Sequence, residues 1–219
     1  MNGTTVLWDV PTRLFHWLLV LAILLAWWTA EEGHMDWHEY IGISVLGLLI
    51  FRIIWGFIGS PASRFTDFLR GPGTVIAYMR GTLQWAPVGH NPLGGWSVVA
   101  LISLLLCQSI SGLFNGDDIL FDGPLRHLVS SEWQDRFGVM HEVAFNGLLA
   151  LILLHVLAVL WHQLRHKEPL IQAMIKGSAQ GREGEAAPVS IWRAVVLVVL
   201  IAGGFWLALA MIPAPVSYW

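Results

Sequence analysis

Five stretches of this chain are each long and apolar enough to cross a lipid bilayer, and that limits the fold to a bundle of membrane-spanning helices. A spanning helix needs about 20 apolar residues, and inside hydrocarbon every backbone N–H and C=O must find its partner within the protein. The expected spans are Leu14–Ala30, His38–Ile58, Gly95–Phe114, Arg136–His162 and Trp192–Ile212. Only 12% of the 219 residues are charged while 56% are hydrophobic, which is about half the charged share of a soluble domain. Many of the 13 Trp stand at the ends of the apolar runs, where membrane–water interfaces favour them.

The basic residues set the orientation. Of the twelve Lys and Arg, only Arg126 and Arg136 fall in the loops on one side, among the acids Glu31, Glu32, Asp36, Asp117, Asp118, Asp122, Glu132 and Asp135. The others, Arg13, Arg52, Arg64, Arg70, Arg80, Arg165, Lys167, Lys176, Arg182 and Arg193, cluster on the opposite side. The positive-inside rule makes that side cytoplasmic, with the N-terminus inside and the C-terminus outside. The first run lacks a small-residue cleavage site after Trp28 and reads as a retained helix rather than a signal peptide. In the long cytoplasmic connection Gly59–Gly94, the segment Phe65–Met79 mixes aromatic and aliphatic residues with Arg70 and Arg80. It is expected to lie as an amphipathic helix on the membrane surface, broken at Gly71-Pro72-Gly73. Gly177–Pro188 reads as a flexible linker to the fifth helix.

The histidines are the chemistry. An ionisable residue inside a membrane segment is costly and needs a reason. His16 lies one turn into the first span, near the cytoplasmic face. His38 begins the second span, near the outer face. The fourth span holds His141 toward the outside and His155 deeper, fourteen residues on. Fourteen residues make close to four helical turns, so both project from nearly one face about 21 Å apart. Depths then match in pairs, His16 with His155 and His38 with His141. Two imidazoles per level suits the two axial positions of a haem iron, whereas zinc wants three or four ligands at one point. His34, one turn before His38, is a rival for the outer pair, and His162 a weaker rival for His155. His90, His127 and His166 read as loop or interface residues. His166 and Arg52 are the candidate partners for a haem propionate, and Arg52 is the better one, since its guanidinium binds a carboxylate through two N–H groups; otherwise it is a snorkelling anchor.

Weaker signals are Gln108, Ser103, Ser109 and Ser111 on the third span, expected to make interhelical hydrogen bonds. Glu142, beside His141, reads as a helix-end anion ahead of a proton-path residue, and Asp9 belongs to the turn that leads into the first helix. The single Cys107 excludes a disulfide framework, a zinc site built on cysteines and an iron–sulfur cluster held by this chain alone. No nucleotide fingerprint, nucleophile elbow or basic patch for nucleic acid is present.

Several separated motifs share a resemblance. Trp8-Asp9-Val10-Pro11-Thr12-Arg13-Leu14-Phe15-His16-Trp17, Phe51-Arg52-Ile53-Ile54-Trp55-Gly56, Gly89-His90-Asn91-Pro92-Leu93-Gly94-Gly95-Trp96, Leu154-His155-Val156 and the segment His166–Gly177 occur in order. Together they resemble prokaryotic cytochrome b561 proteins, the group that includes Ni,Fe-hydrogenase cytochrome b subunits. The resemblance covers roughly residues 6–177. It implies an all-α integral membrane protein, a four-helix bundle binding two b haems, here with a fifth C-terminal helix. It also implies exchange of electrons with membrane quinone and a periplasmic redox partner such as a c-type cytochrome. The family's ligands fall on His16, His38, His141 and His155. Residues 1–177 are accordingly expected to form the haem bundle, and 178–219 a linker and extra helix that anchors a partner or an oligomer interface.

Two further readings compete. Superoxide or ferric oxidoreductase activity coupled to quinone would suit an outer haem near solvent, but the acids around Arg126 and Arg136 oppose an anionic substrate. A transporter or structural subunit without haem would be expected to carry broken helices or internal repeats, and neither is evident.

Overall fold

The computed structural model describes residues 4–83, 89–116, 121–180 and 188–213. Strand β1 (Thr4–Val6) leads into helix α1 (Val10–Glu31), and a tight turn at Gly33 into α2 (Met35–Ile58). A 3-10 turn at Pro61–Ser63 and the short helices α3 (Phe65–Phe68) and α4 (Pro72–Met79) follow. Next come α5 (Pro92–Gly112), a 3-10 turn at Arg126–Leu128, α6 (Ser131–Arg165), α7 (Leu170–Lys176), β2 (Ser178–Gln180) and α8 (Ile191–Ala210). Five of these helices, α1, α2, α5, α6 and α8, are long and apolar enough to span a membrane. The protein is thus an all-α, multi-pass membrane protein, as the apolar runs predict; its two three-residue strands pair only with each other. Helix α6 extends beyond the expected Arg136–His162 at both ends. The linker residues 181–187 and the acids Asp117 and Asp118 lie outside the described residues.

Burial follows the inverted logic of a membrane solvent. Leu14, Leu21, Leu153, Leu154 and Leu157 are exposed, while Arg52 and Ser111 are buried. In water such an apolar surface would drive aggregation; in lipid it is the ordinary outer face.

The chain forms two compact units. The first comprises residues 1–17, 52–102 and 150–194. It is organised around Asp9, whose side chain is 4% exposed. Asp9 caps α1, with Oδ1 accepting the Thr12 N–H at 2.8 Å; such a cap satisfies one of the orphan donors at a helix start. Its Oδ2 accepts Trp55 Nε1–H at 3.0 Å and the Ser63 hydroxyl at 3.3 Å, and Ser63 Oγ lies 2.7 Å from Thr12 Oγ1. Burial alone would raise this carboxyl, but hydrogen bonds from Ser60, Thr12 and Trp55 outweigh it and hold it below the usual carboxylate range. The start of α1 is locked further by α7 and β2. Leu7 N–H donates to the Gly177 carbonyl at 2.8 Å, and Arg13 Nη1 to the Ile175 carbonyl at 2.6 Å. Gly177 has φ +80°, and a Cβ there would meet Arg13 Nε at 2.8 Å and Trp8 O at 2.9 Å, so only glycine fits.

The surface segment departs from expectation at its break. Pro72 starts α4 instead of ending a helix, because its fixed φ and missing N–H suit the first helical turn; the interruption falls at Leu69–Gly71. Phe65 from α3 packs against Gly56, where a Cβ would lie within 2.8 Å of three Phe65 ring carbons.

The second unit comprises residues 18–51, 103–149 and 195–219. Here α8 packs on α2, with Phe205 and Ile201 in van der Waals reach of Gly47. Leu104 of α5 sits against Gly147 of α6, a close approach that a side chain would block.

Candidate functional site

Within the second unit, His38 and His141 come together. His38, in the first turn of α2, places Nδ1 2.8 Å from the Ala26 carbonyl of α1. A carbonyl only accepts, so Nδ1 carries the proton and Nε2 keeps its lone pair. His141 on α6 is held the same way, Nδ1 lying 2.9 Å from the Gln108 carbonyl of α5. Ser111, fully buried, places its hydroxyl 3.3 Å from the same nitrogen. The two ring centroids are 6.2 Å apart with planes at 78°. A metal held from both sides through nitrogens at about 2 Å, with each ring centre ~1 Å beyond, spans a little over 6 Å. Two imidazoles at this spacing would suit a single metal held between them. The Gln108 amide N–H donates to His141 Nε2 at 2.9 Å, which engages the lone pair a metal would use. Gly112 makes room for the His141 ring, since a Cβ there would stand 3.0 Å from Cε1.

Within the first unit, His16 of α1 and His155 of α6 lie within electrostatic reach of each other. His16 Nδ1 is buried with no hydrogen-bond partner. Arg52 of α2 is 3% exposed; its guanidinium lies over the Phe65 ring at 4.9 Å and its Nη1 is buried without a partner. Asp9 is near enough to act on Arg52 electrostatically, yet the Asp9 oxygens already accept from Thr12, Trp55 and Ser63.

Other histidines go elsewhere. His34 precedes α2, stands 6.0 Å from the Trp28 ring and lines a groove with Leu25, Trp37 and Ile41. His162 Nδ1 faces Glu168 at 3.6 Å, and its ring lies 5.1 Å from His166. His127 Nε2 is 2.9 Å from the Pro213 carbonyl. His90 does occupy a loop, but its surroundings are not those of an interface residue: the ring packs on Phe68 at 4.5 Å and Trp8 at 4.7 Å, and Nδ1 is buried without a partner. The reason is tertiary, because Phe68 of α3 and Trp8, which precedes α1, pack on the His90 ring, and no periodicity in the sequence announces it. Ser103 is exposed, and Glu142 is exposed on α6. Arg126 and Arg136 are both paired, Arg126 with Asp122 and Arg136 with Glu132 at 2.6 Å, so neither is a free lure for an anion.

Among the described residues no group of three or more His, Cys, Asp or Glu could hold a metal ion.

Comparison with curated proteins and with solved structures gives no match. The family model described as prokaryotic cytochrome b561 matches residues 7–177. A multi-pass membrane chain matched over that much of its length belongs to the prokaryotic cytochrome b561 family, and this membership marks it as a membrane electron-transfer protein of the b-type haem class.

Proposed function

We propose that the protein carries electrons across a bacterial inner membrane through two b-type haems, between the quinone pool and a periplasmic redox partner such as a c-type cytochrome. His38 and His141 would hold the outer haem, and His16 and His155 the inner one, with Arg52 serving an inner propionate. A bound b haem supplies a one-electron ferric/ferrous couple. The observation that carries the reading is the His38–His141 pair, 6.2 Å between centroids, with each Nδ1 tied to a backbone carbonyl. That tie fixes the tautomer, orients Nε2 and raises its basicity. The residues fit the group in a second respect: His16 Nδ1 and Arg52 Nη1 are buried polar atoms with no partner in the chain itself, a cost that a bound ligand would relieve.

The chain's own contribution is to hold the ligands and exclude water. Apolar packing around the histidines lowers the local dielectric and tunes the potential of whatever they ligate. The distribution of Lys and Arg supports a cytoplasmic N-terminus.

The test is a haem-to-protein ratio with a reduced-minus-oxidised spectrum on wild type and on His16→Ala, His38→Ala, His141→Ala and His155→Ala. The expected ratio is about two, with His16 and His155 variants losing one spectral component and His38 and His141 variants the other. A folded wild type without haem refutes the reading.

A further inference from the structure

Two buried polar groups of the first unit, Arg52 Nη1 and His90 Nδ1, lack hydrogen-bond partners, and both stand against the same aromatic side chain. The Arg52 Cζ is 6.0 Å from the Phe68 ring centre, and the His90 ring is 4.5 Å from it. Phe65 backs the guanidinium at 4.9 Å, and Trp8 closes over His90 at 4.7 Å. Arg52 acts electrostatically on His90, as does His155, so the cluster adjoins the candidate inner ligand. Burial, Arg52 and His155 push the His90 imidazole down to about 3. At neutral pH it is therefore uncharged, with one N–H to donate. Leaving a buried guanidinium and a buried imidazole nitrogen without acceptors costs about 1–3 kcal/mol each, and the carboxylate that lies within range, Asp9, is committed to Thr12, Trp55 and Ser63. A carboxylate could accept from the Arg52 guanidinium and, in the tautomer with its proton on Nδ1, from the His90 imidazole.

We infer that Arg52 and His90 form a carboxylate cradle walled by Trp8, Phe65 and Phe68, with His90 as a binding residue alongside Arg52. The carboxylate has two possible sources, a propionate of the inner haem or a free small carboxylate. The first source rests on the haem reading above; the cradle itself does not.

The apoprotein in detergent is titrated with haem b and with its dimethyl ester, and binding is followed by absorbance and tryptophan quenching. Separately, sodium formate is titrated calorimetrically into the apoprotein against sodium chloride at equal ionic strength. The same titrations are run on Arg52→Gln and His90→Gln, whose folding is checked by near-ultraviolet circular dichroism. With a propionate in the cradle, the ester binds wild type about tenfold more weakly than haem b, and each variant loses that discrimination. With a free carboxylate as the source, ester and haem b bind alike, but formate gives a heat with wild type that both variants lack. The wild-type arms need no variant to fold. Equal binding of ester and haem b together with no formate heat overturns the cradle. If wild type takes up neither form of haem, the electron-transfer reading fails, and the formate titration still decides the cradle.

Discussion

On the proposed two-haem reading, replacing Asp9 by Ala should loosen the start of α1 and release the haem at His16 before the one at His38. The side chain supplies the N-cap of α1 and accepts Trp55 Nε1–H and Ser63 Oγ–H. Losing the cap costs about 1 kcal/mol. Losing a hydrogen bond from the fully buried Trp55 to a charged acceptor costs about 1.5–3 kcal/mol. The weaker Ser63 contact matters less, because Ser63 keeps its 2.7 Å partner in Thr12. The expected destabilisation is about 3 kcal/mol. His16 lies two turns beyond the cap, so its position depends on that network. The assay is reversible unfolding in mixed micelles titrated with dodecyl sulfate, with haem content followed in parallel. An acid limb adds a second readout. The folded Asp9 carboxyl titrates below its unfolded value of about 3.9, so its stabilisation is complete above that range. It fades as pH falls through the range and is gone below the folded value. Asp9→Asn should flatten that limb while keeping part of the cap. A change below about 0.5 kcal/mol for Asp9→Ala, or equal loss of both haems, would refute the argument.

Three further outcomes follow from named contacts. Gly112→Ala puts a methyl 3.0 Å from His141 Cε1 and should shift the midpoint potential of the haem proposed at His38 and His141 by tens of millivolts, with that of the haem proposed at His16 and His155 unchanged by potentiometric titration. Gln108→Leu removes the amide that engages His141 Nε2 and should raise outer-site affinity of the apoprotein about fivefold, read by stopped-flow haem uptake; weaker binding would mean that the amide orients the ring instead of competing for it. Gly177→Ala combines a positive φ with a clash against Arg13 and should cost more than about 2 kcal/mol, seen as a lowered melting temperature in detergent.

Much of the fold is written in the chain because the membrane is a simple solvent. Apolar length alone locates α1, α2, α5, α6 and α8. What the sequence conceals are contacts that join distant residues. Asp9 looks like an ordinary cap, yet it meets Trp55 and Ser63 across separations of 46 and 54 residues. His90 looks like a loop residue because the groups that cover it, Trp8 and Phe68, come from elsewhere in the chain. Gln108 carries no sign of its engagement with His141, 33 residues away. The motifs around Trp8–Trp17, Phe51–Gly56 and Gly89–Trp96 hint at such contacts, since each contains a residue that proves to lie in one of these clusters. Periodicity reports which face is apolar; it does not say which polar group on another element a side chain will meet.

The clasp between β1 and β2 has a consequence for biogenesis. Thr4–Val6 pairs with Ser178–Gln180, and Arg13 grips the Ile175 carbonyl across 162 residues. A ribosome adding about 5–20 residues per second needs on the order of ten to thirty seconds to make the second half of that clasp after the first has emerged. During that interval the first helix is already in the bilayer with its start untethered, while the fourth is still being made. The fastening of the N-terminal end is therefore a late event in synthesis, and on the proposed two-haem reading it leaves a window in which His16 can be loaded before the start of α1 is tethered.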